Sequence, residues 1–221
     1  MLEASERRRL LELAYRSIEG GIDQPRPAPA PSQSWPAALA ERRATFTTLE
    51  LEGELRGCCG SLDPVRPLAE DVWHNAWASA FADPRFESVM TPEIEALQIS
   101  ISVLTPLEPV AFEDESDLMQ RLERRVDGLV LACGARRVTF LPAVWDMVPD
   151  AGRFLAELKR KAGWTSGPLP AGTRAWRYRT ESFSGTRTES LPVDRGDAMA
   201  PPASNRPCGD RPRDRRRRSG A

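Results

Sequence analysis

The chain has 221 residues, 40% of them apolar, with six Trp, seven Phe and a formal net charge of −1. That length suits one sizeable core or two small subdomains, and the composition is that of a soluble globular protein. No apolar run approaches the roughly 20 residues of a membrane span, and the charged start MLEASERRRLLELAY does not read as a secretory signal, so a cytoplasmic protein is the expectation.

Four Cys in a chain of this length are too few for a disulfide scaffold, and reduced thiols are expected. From Ser184 onward nine Arg face five Asp or Glu, a balance of +4 that leaves −5 for the body. An acidic body does not resemble a nucleic-acid binder.

A first helix is predicted from Ser5, with Leu10, Leu11, Ala14 and Ile18 as its apolar stripe and Gly20-Gly21 as its end. Asp23 to Pro36 holds five prolines and reads as an extended loop. A short helical turn is expected at Ala37 to Arg42. Thr45 to Leu51, the turn Glu52-Gly53, and Glu54 to Cys58 read as a hairpin. Asp63-Pro64 would serve as N-cap and first turn of a helix ending at Asp83-Pro84.

In LQISISVL, Leu97, Ile99, Ile101 and Val103 alternate with Gln98, Ser100 and Ser102, which is a strand with one buried face. Ser116 to Arg125 reads as a short helix. DGLVLACGARRVTFLP reads as a second hairpin around Gly134-Ala135. Pro149 to Ala162 reads as an amphipathic helix capped by Gly163. Trp176, Tyr178 and Thr180 alternate with Arg177 and Arg179 as a last strand. Residues 184–221 are too poor in apolar side chains to offset ordering and read as a disordered tail. Helices and strands mix without a βαβ rhythm, so the expected class is α+β.

The stretch LRGCCG (Leu55 to Gly60) asks for chemistry. Strict alternation puts Leu55, Gly57 and Cys59 on one face, taken as the core face, and Arg56 with Cys58 on the other. Cys59 then packs as a small hydrophobe. Cys58 beside a guanidinium is the better nucleophile candidate. Adjacent Cα atoms lie about 3.8 Å apart, too close for the roughly 4.4–6.8 Å of a disulfide, and adjacent Cys lack metal-ligand spacing. No metal site and no cofactor are expected.

Gly57 and Gly60 permit close backbone approach or positive φ. With Arg56, Ser61 and the free amides of the following helix they form a candidate site for a small anion. The alternative is a tight strand-to-helix turn in which Arg56 pairs with an acid of the protein. His74 is the only histidine, and a Cys58–His74 dyad competes with a surface histidine beside Glu70 and Asp71. ADPRF (Ala82 to Phe86) projects Arg85 from a loop or simply stops the helix. The run RPRDRRRR (Arg211 to Arg218) would bind RNA, an acidic protein or an anionic membrane, or is a solvated tail of no specific role.

The blocks ATFTTLELEGELRGCCGSLDPVRPLAEDVWHNAWASAFADPRF, LQISISVLTPLEPV, DGLVLACGARRVTFLPAVWD and FLAELKRKAGW follow in this order. Together they resemble the AMMECR-one family, also called AmmeMemoRadiSam system protein A, over about Arg8 to Phe183. The family motif LRGCIG stands here as LRGCCG, with Cys59 in place of the usual Ile. The resemblance implies a mixed or antiparallel sheet with flanking helices, in a larger and a smaller subdomain. It places the LRGC strand beside a cleft between them and makes Leu55, Arg56, Gly57, Cys58 and Gly60 the signature residues. It also implies partners, a MEMO-type protein and a radical SAM protein, but no settled reaction. His74 is no part of the family motif.

The expected organisation is therefore a domain over 1–183 and a tail over 184–221. Three readings stand open: an enzyme or enzyme component using Cys58, a non-catalytic interaction module, and a nucleic-acid-associated protein acting through its tail.

Overall fold

Strand β3 (Leu97–Leu104) follows its pattern, with Leu97, Ile99, Ile101 and Val103 buried while Gln98 is exposed. It lies inside a four-stranded antiparallel sheet of order β2-β1-β3-β8, with β1 (Thr45–Leu51), β2 (Glu54–Gly60) and β8 (Thr180–Thr186). The computed structural model describes residues 1–31, 34–164 and 167–190.

Helices α1 (Ala4–Glu19) and α3 (Leu68–Phe81) cover the apolar face of this sheet. Leu10, Tyr15, Ile18, Leu68, Val72 and Ala76 meet Leu49, Ile99 and Ile101 there. Each fully buried aliphatic side chain contributes about 1.5–3 kcal/mol. The Tyr15 hydroxyl contacts two carbonyls, Leu97 at 2.8 Å and Gly185 at 3.1 Å, so the helix is tied to two strands at once. Helix α1 starts one residue before the expected Ser5, with a capping box between Glu3 and Glu6.

The second sheet is also antiparallel, of order β4-β7-β5-β6, with β4 (Glu108–Val110), β5 (Gly128–Cys133), β6 (Arg136–Phe140) and β7 (Arg174–Tyr178). Helices α4 (Glu115–Gln120) and α5 (Ala151–Lys161) pack on it around Trp145 and Phe154, whose rings stack 3.8 Å apart. Gly163 ends α5 in the left-handed region, φ +73, as expected of a helix C-terminus. A third apolar cluster joins the two halves: Ala44, Phe46 and Leu104 of the first meet Val130, Tyr178 and Trp176 of the second. Short helical turns, among them α2 (Ala37–Ala40) and α6 (Arg187–Ser190), accompany these elements.

The α+β class holds. Several boundaries differ from expectation. The predicted last strand is two strands, β7 and β8, one in each sheet. β8 pairs with β3 through Thr186, beyond Phe183, because ladder hydrogen bonds need backbone rather than apolar side chains. Residues 187–190 of the predicted tail form α6, and 191–221, including Cys208 and the Arg run, lie outside the described residues. Among the described residues no helix is long and apolar enough to cross a membrane.

Candidate functional site

The β1–β2 hairpin turns at Glu52-Gly53, both with positive φ (54° and 85°), as a two-residue hairpin turn requires. Going back along β2, Gly60, Cys59, Cys58 and Gly57 oppose Phe46, Thr47, Thr48 and Leu49, but Leu55 then opposes Glu50. Arg56 is the extra residue of a β-bulge. Strict alternation therefore fails at Arg56. Leu55, expected on the core face, is instead 43% exposed.

Arg56, expected beside Cys58, reaches elsewhere. Its guanidinium binds both Glu93 oxygens, at 2.8 and 3.1 Å, and the carbonyls of Glu87 (2.7 Å) and Ser88 (3.2 Å). That bond holds the Glu93 carboxyl below its ordinary range, against the opposing effect of burial. An arginine so engaged is a staple on the 87–93 segment.

Gly57 and Gly60 serve close approach. A Cβ at Gly57 would lie 2.0 Å from the Ser79 carbonyl oxygen, and one at Gly60 would lie 2.4 Å from the Phe46 ring. Ser61 donates to Asp71, at 3.0 Å to the nearer oxygen. Asp71 is fully buried and also accepts from the Thr45 amide (3.0 Å), the Thr45 hydroxyl (2.8 Å) and Asn75 (2.9 Å). These groups lock the strand-to-helix turn. The helix itself starts at Leu68, not at Asp63-Pro64; Asp63 instead pairs with Arg137 at 2.8 Å.

The twin cysteines do split. Gly57 faces α3, so by alternation Cys59 faces it too, and Cys58 faces away. The Cys59 amide donates to the Ser79 hydroxyl at 2.9 Å. Burial pushes the Cys59 thiol up, and Asp83 adds to the effect. The Cys58 sulfur, half-buried, accepts from the Thr48 hydroxyl at 3.4 Å.

Side chains that sequence reasoning did not assemble surround Cys58. Its amide donates to Asp83 at 2.9 Å and its carbonyl accepts from Arg85 at 3.3 Å. Asp83 and Arg85 pair at 2.6 Å. Arg85 holds the Asp83 carboxyl down to about 2, with the Cys58 amide helping and burial opposing. Lys161, at the end of α5, donates to the Thr139 carbonyl at 3.1 Å and lies 5.3 Å from the Phe140 ring centre. Burial lowers the Lys161 ammonium from its ordinary value; Cys58 opposes that shift and Arg85 reinforces it. Arg85 thus holds the Cys58 backbone from the first half of the fold, while Lys161 stands at the end of α5 in the second. ADPRF was the signal for Arg85. Nothing local marks Lys161.

His74 is not brought to Cys58. It lies on α3, on the side of the sheet from which Cys58 faces away. Burial lowers its imidazole, and Arg66 acts in the same direction. Among the described residues no group of three or more His, Cys, Asp or Glu is placed to hold a metal ion. A hollow of about 630 Å³ opens instead along β4 and β7, beside Phe112 and Trp176.

A protein of Methanothermobacter thermautotrophicus is 34% identical over 82% of this chain and 95% of its own length. One of Thermofilum pendens is 33% identical over 88% of this chain and 96% of its own. The crystal structure of the uncharacterized protein PH0010 from Pyrococcus horikoshii shares the fold, with a TM-score of 0.69 and 30% identity over 79% of this chain and 89% of that one. The AMMECR1 family model matches residues 11–183, which spans the LRGCCG strand, the Asp83–Arg85 loop and Lys161. The chain therefore belongs to the AMMECR1 family.

Proposed function

We propose that the chain is an enzyme or enzyme subunit that holds a small anionic ligand against Cys58. The observation that carries this is the Arg85 guanidinium on the Cys58 carbonyl at 3.3 Å, with Lys161 of the other half interacting electrostatically with the same residue. A guanidinium and an ammonium suit a carboxylate or phosphate, and a cysteine beside them would act as thiolate nucleophile. The anion role moves from Arg56, which Glu93 and two carbonyls engage, to Lys161, with Arg85 beside it already paired to Asp83. By the family resemblance the partners are a MEMO-type protein and a radical SAM protein of the AmmeMemoRadiSam system. Brief iodoacetamide treatment of the folded chain, mapped by mass spectrometry, tests the reading. Cys58 is expected to label before Cys59 and Cys133; a Cys58 left unlabelled overturns the nucleophile.

A second reading, a non-catalytic interaction module, is favoured by the internal use of Arg56, Gly57, Gly60 and Ser61. Co-purification with both partner proteins separates the two. A complex that survives Cys58→Ser, with no activity in any combination, favours the module.

A further inference from the structure

We propose that the hollow between the Gly21–Pro25 turn, α3 and the 88–92 segment binds a neutral small molecule carrying an aromatic ring and a hydrogen-bond acceptor. The hollow measures about 640 Å³, within the usual range for small ligands. Trp77 and Phe81 form one wall, their rings 5.7 Å apart and tilted by 49°. Ile22, Val89 and Met90 complete an apolar lining, with Met90 64% exposed at the rim. Aromatic and thioether groups of this kind favour a planar ring. Asp23 is the single charged side chain on the lining and no Lys or Arg lies there, which disfavours an anion.

The acceptor follows from Trp77. Its indole nitrogen is buried and has no hydrogen-bond partner, which a folded protein rarely tolerates without a reason. Gly21 covers that edge of the ring with backbone alone; a Cβ there would lie 2.5 Å from the indole Cδ1 and 2.9 Å from Nε1. In the covering turn the Gly21 N–H donates to the Ile18 carbonyl and the Gln24 N–H to the Gly21 carbonyl, each at 3.0 Å. It also carries Asp23 in the left-handed region at φ +58, a cost to any L-residue. A ligand that shifts this turn and brings an acceptor satisfies the donor that the protein leaves alone. Arg56 is the positioning residue of the opposite wall, since it grips the Glu87 and Ser88 carbonyls. The signature arginine thereby acquires a role distinct from Cys58.

The test is an NMR titration of the full chain, labelled with ¹⁵N at its six Trp, using benzamide as the probe. Benzamide is expected to move one indole N–H signal saturably, the one missing in Trp77→Phe. Its affinity is expected to fall about tenfold in Trp77→Phe, which keeps a ring and removes the donor. Arg56→Ala and the exposed-rim variant Met90→Ala are expected to weaken binding about threefold each. Toluene, which lacks an acceptor, is expected to leave the Trp77 N–H signal in place. If Trp77→Phe does not fold, the wild-type titration and Met90→Ala decide. The proposal is overturned if benzamide moves no indole signal, if Trp77→Phe binds it equally well, or if benzoate or benzylammonium binds more tightly.

Discussion

The carboxylate of Asp83 accepts the backbone N–H of Cys58 at 2.9 Å, across 25 positions of sequence. β2 is an edge strand, and an edge presents unpaired amides and carbonyls. Arg85 answers the Cys58 carbonyl, so the ion pair takes the place of a missing neighbouring strand at that residue. The loop that ends α3 therefore sets the position of the thiol.

Asp83 makes stability depend on pH in a definite window. Its carboxyl falls from 3.8 to about 2 on folding. A depressed carboxylate contributes its full stabilisation above its unfolded value, and the contribution is lost as pH falls through the folded one. The linkage amounts to about 2 kcal/mol. Urea melts of wild type are expected to lose this between pH 4 and pH 2. Asp83→Asn is expected to remove that part of the pH dependence; an unchanged profile contradicts the assignment.

Arg56 and Glu93 are expected to behave as one unit. Arg56→Ala alone leaves a largely buried carboxylate and two carbonyls without their donor, at roughly 2–3 kcal/mol. A double-mutant cycle with Glu93→Gln measures the coupling, expected at 1 kcal/mol or more by about this reckoning. Additive losses would mean that the ion pair contributes nothing beyond its separate parts.

Two glycines of one hairpin are expected to respond differently. Gly53→Ala meets open space and carries only the strain of φ +85, about 1–2 kcal/mol. Gly57→Ala drives a methyl group toward the Ser79 carbonyl and displaces α3, at about 3 kcal/mol or more. Thermal melts of both variants check the order; equal losses contradict the close approach.

The ammonium of Lys161 is expected to tune Cys58. In Lys161→Met the rate of Cys58 alkylation at pH 7 is expected to fall on the order of threefold, since removing a positive charge weakens the attraction for the negative charge on the attacking sulfur. Cys59, on the other face, is expected to keep its rate. A Cys58 rate indifferent to Lys161→Met removes the electrostatic link.

Much of this architecture is legible residue by residue. Glu52-Gly53 announces the hairpin, and the alternation of Leu97 through Val103 fixes which face of β3 is covered. The split of Cys58 from Cys59 also follows from period-two geometry. Arg56 does not, because a bulge is set by how β1 and β2 register along their whole length. The start of α3 was misplaced for a local reason. Arg66 precedes Pro67 and is pushed out of helical geometry, so the helix waits until Leu68. Lys161 was invisible because its approach to Cys58 comes from the docking of one half of the fold on the other. The reach of β8 to Thr186 was missed because composition weighs side chains, whereas a ladder is built from amides and carbonyls.

The contact of Tyr15 with the Gly185 carbonyl bears on how the molecule is made. β3 takes its outer neighbour from Thr180–Thr186, near the end of the domain, while the helix behind it comes from the start. During synthesis the β3 edge stays open from the emergence of Leu104 until Thr180 and its successors follow. The nascent chain therefore closes its larger half last, and a version ending at Phe183 would leave Tyr15 short of one of its two acceptors.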